Sequence, residues 1–256
     1  MKSTRPNQGW VSFPLPNPDA ALRIFFFPYA GGNSLIYRTW PEHLPASVEV
    51  CAIQLPGREA RLREPSYRNL SALVEVLADV LLPHLDKPFA FFGHSMGALI
   101  SFELSRELRR RGGPTPSHLF VSGHRAPQIK TGAPPTYDLP EREFVEEIRR
   151  FNGTPQEVLE HPELMQLVLP LLRSDFALCQ TYVYQPEPPL DCPINVYGGL
   201  DDEDVPRAYL EAWREQTTAA FTLRMFPGDH FFLRKFQPLL LNIFSQQLRG
   251  LVHAPS

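Results

Sequence analysis

Six short apolar runs, separated by segments with helical periodicity, constrain the fold of this chain more than any other feature. Each run is almost continuously apolar over four to eight residues and is closed by glycine or proline. Strands that are apolar on both faces are typical of parallel sheets that helices cover on both sides. The sequence therefore predicts an α/β fold with a mostly parallel central sheet. The six runs are residues 22–27, 48–55, 89–92, 118–123, 194–197 and 221–226.

The segments between these runs place apolar residues at helical spacing. At 256 residues, the chain is long enough for one large α/β domain or for such a domain with an insertion. Its content of 43% hydrophobic and 21% charged residues is typical of a globular protein. The clearest helical segments are residues 70–82, 98–111, 207–217 and 236–248.

Residues 126–190 interrupt the alternation of strands and helices. This stretch has no strand-like run, and eleven prolines lie between Pro127 and Pro193. Asp138 and Thr154 each begin a pattern typical of helix N-termini, with a proline soon after and an acid three residues on. We expect four short amphipathic helices that form a lid, with ordinary connecting helices as the alternative. The predicted division is a core segment at 1–125, the lid insertion at 126–190 and a second core segment at 191–256.

The pentapeptide at residues 93–97, Gly-His-Ser-Met-Gly, follows one apolar run and precedes a helical segment. In a strand–turn–helix context, G-x-S-x-G is typical of a nucleophile elbow, in which small glycines relieve crowding around a strained serine. The positive end of the following helix dipole favours negative charge beside that serine. Ser95 is therefore the predicted nucleophile, and a chance occurrence of the pattern in a loop is the alternative.

A serine nucleophile needs a base to take its proton and a carboxylate to orient that base. In α/β hydrolases these residues follow the serine in the order acid, then histidine, in loops after strands. His230 follows the run 221–226 and is the predicted base. The preceding loop holds Asp201, Asp202 and Asp204; the spacing G-x-x-D-x-x-V favours Asp202 as the acid, with Asp201 as the alternative.

The tetrahedral intermediate of acyl transfer needs two N–H donors to hold its oxyanion. The backbone N–H of Met96, directly after the nucleophile, is the first predicted donor. The second is expected from the small-residue turn after the run 22–27, and we assign it to Ala30, with Tyr29 as the alternative. A simple turn is the other interpretation of the glycines at 31 and 32.

Composition excludes several classes of function. The formal net charge of −3 does not favour a nucleic-acid-binding protein, and no apolar run approaches the length of a membrane span. The first ten residues lack the apolar core of a signal peptide, and the cysteines at 51, 179 and 192 lack metal-ligand spacing. We therefore expect a cytoplasmic protein without cofactor or metal. Nothing in the sequence requires a dimer, so a monomer is expected.

Four ordered motifs, at residues 27–32, 54–59, 92–98 and 227–233, together resemble the type II thioesterases of the α/β-hydrolase superfamily. The resemblance extends over residues 20–249 and includes the stretch 169–176. It implies hydrolysis of acyl thioesters on the phosphopantetheine arm of an acyl carrier protein or peptidyl carrier protein. Such enzymes remove stalled or aberrant acyl groups from polyketide synthases and nonribosomal peptide synthetases.

Other functions would use the same three residues. They are chain termination on a fatty-acid synthase, hydrolysis of oxygen esters and acyl transfer to an acceptor other than water. Carrier binding without catalysis is a further alternative, but the intact set of Ser95, Asp202 and His230 argues against it, since a pure binder would not need them. Because carrier proteins are acidic, a basic docking surface is expected. Arg58, Arg61 and Arg63 are the predicted docking residues, whereas the arginines at 106 and 109–111 favour a plain solvated helix end.

Overall fold

Seven strands form one sheet at the centre of the structure, a computed structural model that describes residues 9–252. Residues 1–8 and 253–256, at the outer ends of the two predicted core segments, lie outside the described residues. The expectation of no signal peptide rests on residues 1–10, so most of that stretch is also outside them. The strands are β1 (Val11–Ser12), β2 (Leu22–Phe27), β3 (Val48–Ile53), β4 (Phe89–His94), β5 (His118–Ser122), β6 (Ile194–Gly199) and β7 (Phe221–Phe226).

The sheet is almost entirely parallel, as predicted. Its strand order is β1-β3-β2-β4-β5-β6-β7, and only the pairing of β1 with β3 is antiparallel. The six predicted apolar runs correspond to β2 to β7, whereas the two-residue β1 carries no apolar pattern and was not predicted. Because β2 and β4 are central neighbours, the loops at their carboxyl ends lie side by side.

Alternate side chains of each central strand pack on opposite faces of the sheet. In β2, Phe25 and Phe27 belong to one buried cluster, while Ile24 and Phe26 belong to another. Period-two alternation thus places apolar residues on both faces, which explains why the run has no polar positions at its centre. The helices that cover the sheet are α1 (Leu70–Leu81) and α2 (Met96–Arg110) early in the chain, and α6 (Arg207–Glu211), α7 (Phe232–Lys235) and α8 (Gln237–Val252) after the insertion.

Three helices lie between β5 and β6, in the stretch where we expected a lid of four. They are α3 (Glu141–Phe151), α4 (Gln156–Leu159) and α5 (Pro162–Gln180), and together we call them the helical insertion. The prediction of four was wrong because the last two expected helices, which were to meet near Ser174, form the single helix α5, and this helix also continues through Pro170. A proline inside a helix removes one backbone hydrogen bond, yet the buried face of this 19-residue helix holds it together across that point.

The helical insertion has a small apolar core of its own. Buried side chains from all three helices, among them Phe144, Leu159 and Leu169, pack together in it. Within residues 9–252, no helix combines the length and apolar character needed to cross a membrane.

Candidate active site

Ser95 sits on a sharp turn between β4 and α2. Its φ of +52° and ψ of −117° lie outside the regions that non-glycine residues favour, and its N–H donates to the carbonyl of Ser122 at 2.8 Å. The glycines on either side allow this turn: a Cβ at Gly93 would overlap the backbone of Gly97, and one at Gly97 would overlap the carbonyl oxygen of Phe27. The local sequence therefore forms the elbow that its pattern predicts.

A chain of two hydrogen bonds joins Ser95, His230 and Asp202. The Oγ of Ser95 lies 3.0 Å from Nε2 of His230, and Nδ1 of that ring lies 2.7 Å from Oδ2 of Asp202. The serine and the histidine are 135 residues apart in sequence and meet at the carboxyl end of the parallel sheet. This arrangement can pass the hydroxyl proton to an imidazole whose orientation a carboxylate fixes.

The three aspartates after β6 have different partners. Asp202 is buried, and its Oδ1 accepts the N–H groups of Asp204 and Val205 at 3.2 and 3.1 Å. Asp201 instead accepts the N–H of Gly228 at 3.2 Å and donates its own N–H to the carbonyl of that residue. The structure thus brings Asp202 to His230, while Asp201 ties the acid loop to the loop that contains the histidine.

The two predicted oxyanion donors have no competing acceptor. Among the described residues, neither the N–H of Ala30 nor that of Met96 donates to a protein group. Met96 is the first residue of α2, where backbone N–H groups have no intrahelical partner. The carbonyl of Tyr29 accepts the N–H of Gly32 at 2.8 Å, which turns the chain sharply after β2.

His94, which precedes the serine, is fully buried beside the histidine of the chain. Its ring lies 5.2 Å from that of His230, and its Nδ1 lies 2.9 Å from Oγ of Ser122, a pair separate from the Ser95–His230–Asp202 chain. Burial lowers the pKa of His94 well below its usual value, and the neighbouring His230 and Arg234 lower it further. His94 is therefore neutral at neutral pH.

Two of the predicted docking arginines are internal, so that part of the expectation was wrong. Arg58 and Arg61 are 4% and 6% exposed. Arg58 pairs with Asp175 of α5 at 2.8 Å, and Arg61 pairs with Glu64 at 2.5 Å. Only Arg63 of the three is exposed. A helical residue far along the chain carries no local sign that it will meet a loop arginine, which is why the pair was missed.

The helical insertion reaches the rim of the site through several contacts. The ring of Phe151 lies 6.4 Å from the His230 ring, and Asn152 donates to Asp229 at 3.2 Å. Arg234 donates to the carbonyl of Gly153 at 2.6 Å. The end of α3 therefore lies beside the histidine loop. No cluster of three or more histidine, cysteine, aspartate or glutamate side chains suited to a metal ion occurs within the described ranges.

Known proteins are similar to this chain in sequence, and solved structures are similar to it in fold. The family model for the thioesterase domain matches residues 22–248. The gramicidin S biosynthesis protein GrsT of Aneurinibacillus migulanus is 47% identical over 239 residues, 93% of each chain. The linear gramicidin dehydrogenase LgrE of Brevibacillus parabrevis is 46% identical over 244 residues, 94% of this chain and 93% of the relative.

Among solved structures, the RedJ thioesterase from the prodiginine biosynthetic pathway in Streptomyces coelicolor superposes with a TM-score of 0.83. It is 41% identical, and the match covers 89% of this chain and 85% of that one.

The name of LgrE denotes an oxidoreductase, but α/β enzymes that bind dinucleotides use a G-x-G-x-x-G loop. No two glycines in this sequence are separated by a single residue. The chain therefore belongs to the thioesterase family, as a type II thioesterase with the α/β-hydrolase fold.

Proposed function

We propose that this thioesterase hydrolyses acyl thioesters on the phosphopantetheine arm of an acyl or peptidyl carrier protein. Its role is to remove stalled or aberrant acyl groups from a polyketide synthase or nonribosomal peptide synthetase. The observation that supports this most strongly is the hydrogen-bonded chain of Ser95, His230 and Asp202 in a member of the thioesterase family. A chain of this kind is what acyl transfer to a serine requires.

In the proposed reaction, His230 takes the proton of Ser95 as Oγ attacks the thioester carbonyl. Asp202 holds the imidazole in the tautomer that accepts at Nε2 and stabilises the imidazolium that forms. The tetrahedral intermediate collapses, the C–S bond breaks, and His230 returns the proton to the leaving pantetheine thiolate. Water then attacks the acyl-enzyme with His230 again as base, and the carboxylic acid leaves.

The backbone N–H groups of Ala30 and Met96 are the proposed oxyanion donors. Within residues 9–252 neither N–H donates to a protein acceptor, and the N-terminus of α2 adds its positive dipole end beside Ser95. The helical insertion is the proposed lid over the acyl group, since Phe151 and Gly153 contact the side chains of the histidine loop. For this division into a core and a lid we propose the boundaries predicted from the sequence, at residues 126 and 190.

We propose a monomeric enzyme of the cytoplasm, and the cysteines support the compartment. All three are free, and burial raises the pKa of Cys179 and Cys192 to about 12, so both remain neutral thiols at physiological pH. Unpaired buried thiols suit a reducing compartment, which is where the carrier proteins of such synthases are expected to work.

The experiment that tests the proposal compares matched substrates. Acyl groups of several lengths are presented on a carrier protein, as free pantetheine thioesters and as oxygen esters, and kcat/KM is measured for each. The proposal expects the carrier-bound thioesters to be the fastest. Ser95→Ala is the control, and it should reduce kcat on every substrate by at least about 10³-fold. Faster cleavage of free oxygen esters would assign the same fold and site to a general esterase instead.

A further inference from the structure

We infer that Asp175 and Arg58 are positioning residues that aim the Ala30 N–H at the oxyanion, so that the oxyanion hole is complete only while α5 is docked. This inference rests on the proposed function, because it takes Ala30 as an oxyanion donor. It assigns a task to the motif at residues 54–59, which the mechanism above leaves unused, and to an aspartate from the middle of the helical insertion.

The carboxylate of Asp175 and the guanidinium of Arg58 together hold the turn after β2. Asp175 accepts the N–H of Gly31 at 2.8 Å through Oδ2, and it accepts Nη2 of Arg58 at 2.8 Å through Oδ1. Nη1 of Arg58 donates to the carbonyl of Gly32 at 2.7 Å. The pair therefore holds two successive residues of the turn by one charge-assisted hydrogen bond each, and a third such bond joins Arg58 to Asp175. Charge-assisted hydrogen bonds are about twice as strong as neutral ones.

The direction of the Ala30 N–H follows from this anchoring through one shared peptide plane. The carbonyl of Tyr29 and the N–H of Ala30 belong to the same planar amide and point in opposite directions. That carbonyl accepts the N–H of Gly32, the residue that Arg58 holds through its carbonyl. If the turn at Gly31 and Gly32 shifts, the Tyr29 carbonyl loses its donor and the amide plane is free to rotate.

Burial restricts the geometry in which the Arg58–Asp175 ion pair is stable. The side chains of Arg58 and Asp175 are 5% and 2% exposed, so neither charge has water available as a substitute partner. A buried ion pair is costly to break from one side, because the remaining charge stays unsolvated. Separating the two groups is therefore costly, and this cost favours the one arrangement of the turn in which both hydrogen bonds to it are made.

Asp175 belongs to α5, and this couples the hole to the helical insertion. Leu172, one turn earlier, lies against the same turn: a Cβ on Gly31 would come within 2.6 Å of its Cδ2. Gly31 has a φ of +74°, a conformation that glycine adopts without strain. A movement of α5 of an ångström or more would therefore break the hydrogen bond to the Gly31 N–H, and with it the alignment of the donor.

The test separates positioning from stability with two kinds of ligand. Asp175→Asn keeps the shape of the side chain and removes its charge; Glu49→Gln does the same to the buried Arg23–Glu49 pair, which joins the amino ends of β2 and β3 away from the site. For each variant, kcat and KM are measured on a small free thioester. Affinity is measured for a trifluoromethyl ketone, which Ser95 converts to a tetrahedral oxyanion, and for the unreactive thioether of the same shape.

We expect Asp175→Asn to lower kcat by about 10- to 100-fold, less than the loss of a whole donor, with KM nearly unchanged. Affinity for the trifluoromethyl ketone should fall by a similar factor, whereas affinity for the thioether should not. Glu49→Gln should keep wild-type values in all four measurements. If Asp175→Asn does not fold, Arg58→Lys replaces it, since an ammonium ion cannot span both the Gly32 carbonyl and the carboxylate in the same way.

Two outcomes would overturn the inference. One is wild-type kcat and ketone affinity in Asp175→Asn; the other is an equal loss of affinity for the ketone and the thioether, which indicates general damage to the pocket. Failure of the proposed function has a different signature, because free oxygen esters would then be cleaved faster than carrier-bound thioesters, or Ser95→Ala would retain activity, whatever the result with Asp175.

Discussion

Nη1 of Arg150, at the end of α3, donates to both carboxylate oxygens of Asp204, at 2.8 and 3.0 Å. Asp204 is two residues beyond Asp202, the carboxylate that bonds His230. The helical insertion is therefore tied directly to the acid loop. Together with the Asp175–Arg58 pair on α5, this places one ionic contact of the insertion on each side of the site.

The Arg150–Asp204 pair is half-exposed, so it should contribute less to stability than to local order. We expect Arg150→Ala to change the free energy of unfolding by less than about 1 kcal/mol. Amide hydrogen exchange in α3 should nevertheless become faster, while exchange in α2 stays the same. Hydrogen-exchange mass spectrometry checks this. Arg149→Ala, which removes a pairing within α3 itself, is the matched control, and equal acceleration in both variants would contradict the prediction.

The identity of the triad acid is tested by two substitutions in one loop. Asp202→Asn should reduce kcat by on the order of 10⁴-fold, because an amide no longer holds the His230 tautomer that accepts from the serine. Asp201→Asn keeps an oxygen for the Gly228 N–H and should leave kcat close to wild type. Steady-state kinetics on a free thioester distinguishes them. A large loss in Asp201→Asn with little loss in Asp202→Asn would reverse the assignment.

Acid should destabilise the fold through His94. Its folded pKa is well below the value of 6.5 that applies when the chain is unfolded, because of burial and nearby positive charge. Below pH 6.5 the unfolded chain binds a proton that the folded protein does not, so this contribution to stability is complete above pH 6.5 and is lost as pH falls. The slope is at most about 1.4 kcal/mol per pH unit for one group.

Urea unfolding between pH 7.5 and pH 5 measures this dependence. His94→Gln should show a shallower fall than wild type, whereas substitution of the exposed His43 by Gln should not alter it. A wild-type free energy of unfolding that stays flat below pH 6.5 would show the prediction to be wrong.

The contact between the elbow and β2 leaves no room for a methyl group. A Cβ on Gly97 would overlap the Phe27 carbonyl oxygen, and backbone cannot move aside as a flexible side chain can. We expect Gly97→Ala to destabilise the fold by about 3 kcal/mol or more, at the upper end of overpacking effects. Gly132→Ala, with no heavy atom within 4 Å of its added Cβ, should have the wild-type urea midpoint. Equal midpoints in both variants would contradict this.

Arg63 is the exposed member of the predicted docking group, and it tests carrier recognition. Arg63→Glu should raise KM for an acylated carrier protein, since carrier proteins are acidic, without changing KM for a small thioester. The effect should weaken as salt is added. Arg38→Glu, an equal charge change at another exposed position, serves as the control. An equal rise in KM on both substrates would exclude a docking role for Arg63.

Local sequence patterns predicted the strands and site residues whose positions depend mainly on neighbouring residues in the chain. The runs that became β2 and β7 have the predicted bounds. β2 is buried at five of its six positions, as a continuously apolar parallel strand should be. β7 lies at the edge of the sheet with Thr222 and Arg224 exposed, and the proline that follows it marked its end. Ser95, Asp202 and His230 were assigned as site residues from chain order and from their positions after strands. The structure brings their side chains within hydrogen-bonding distance of one another.

Long-range partners could not be predicted in this way. Arg58 and Asp175 are 117 residues apart, and one sits in a loop and the other in a helix whose course was itself predicted with a break. Pro170 stays inside α5 because of what the helix packs against, which no local rule includes. The same limit applies to the docking arginines, because exposure depends on the folded neighbours of a side chain and not on its charge.

The hydrogen bond between Asp175 and the Gly31 N–H has a consequence for which acyl groups are hydrolysed, because it makes hydrolysis depend on how long an acyl group stays in the site. By the inference above, the donor array is complete only while Asp175 of α5 holds the Gly31 N–H, so an acyl group that displaces α5 on entry would be cut only after the helix returns. A chain that is promptly elongated by its synthase leaves before that happens, whereas a chain that no longer moves waits long enough to be cut. The enzyme would then select its substrates by their residence time, without recognising the structure of the acyl group.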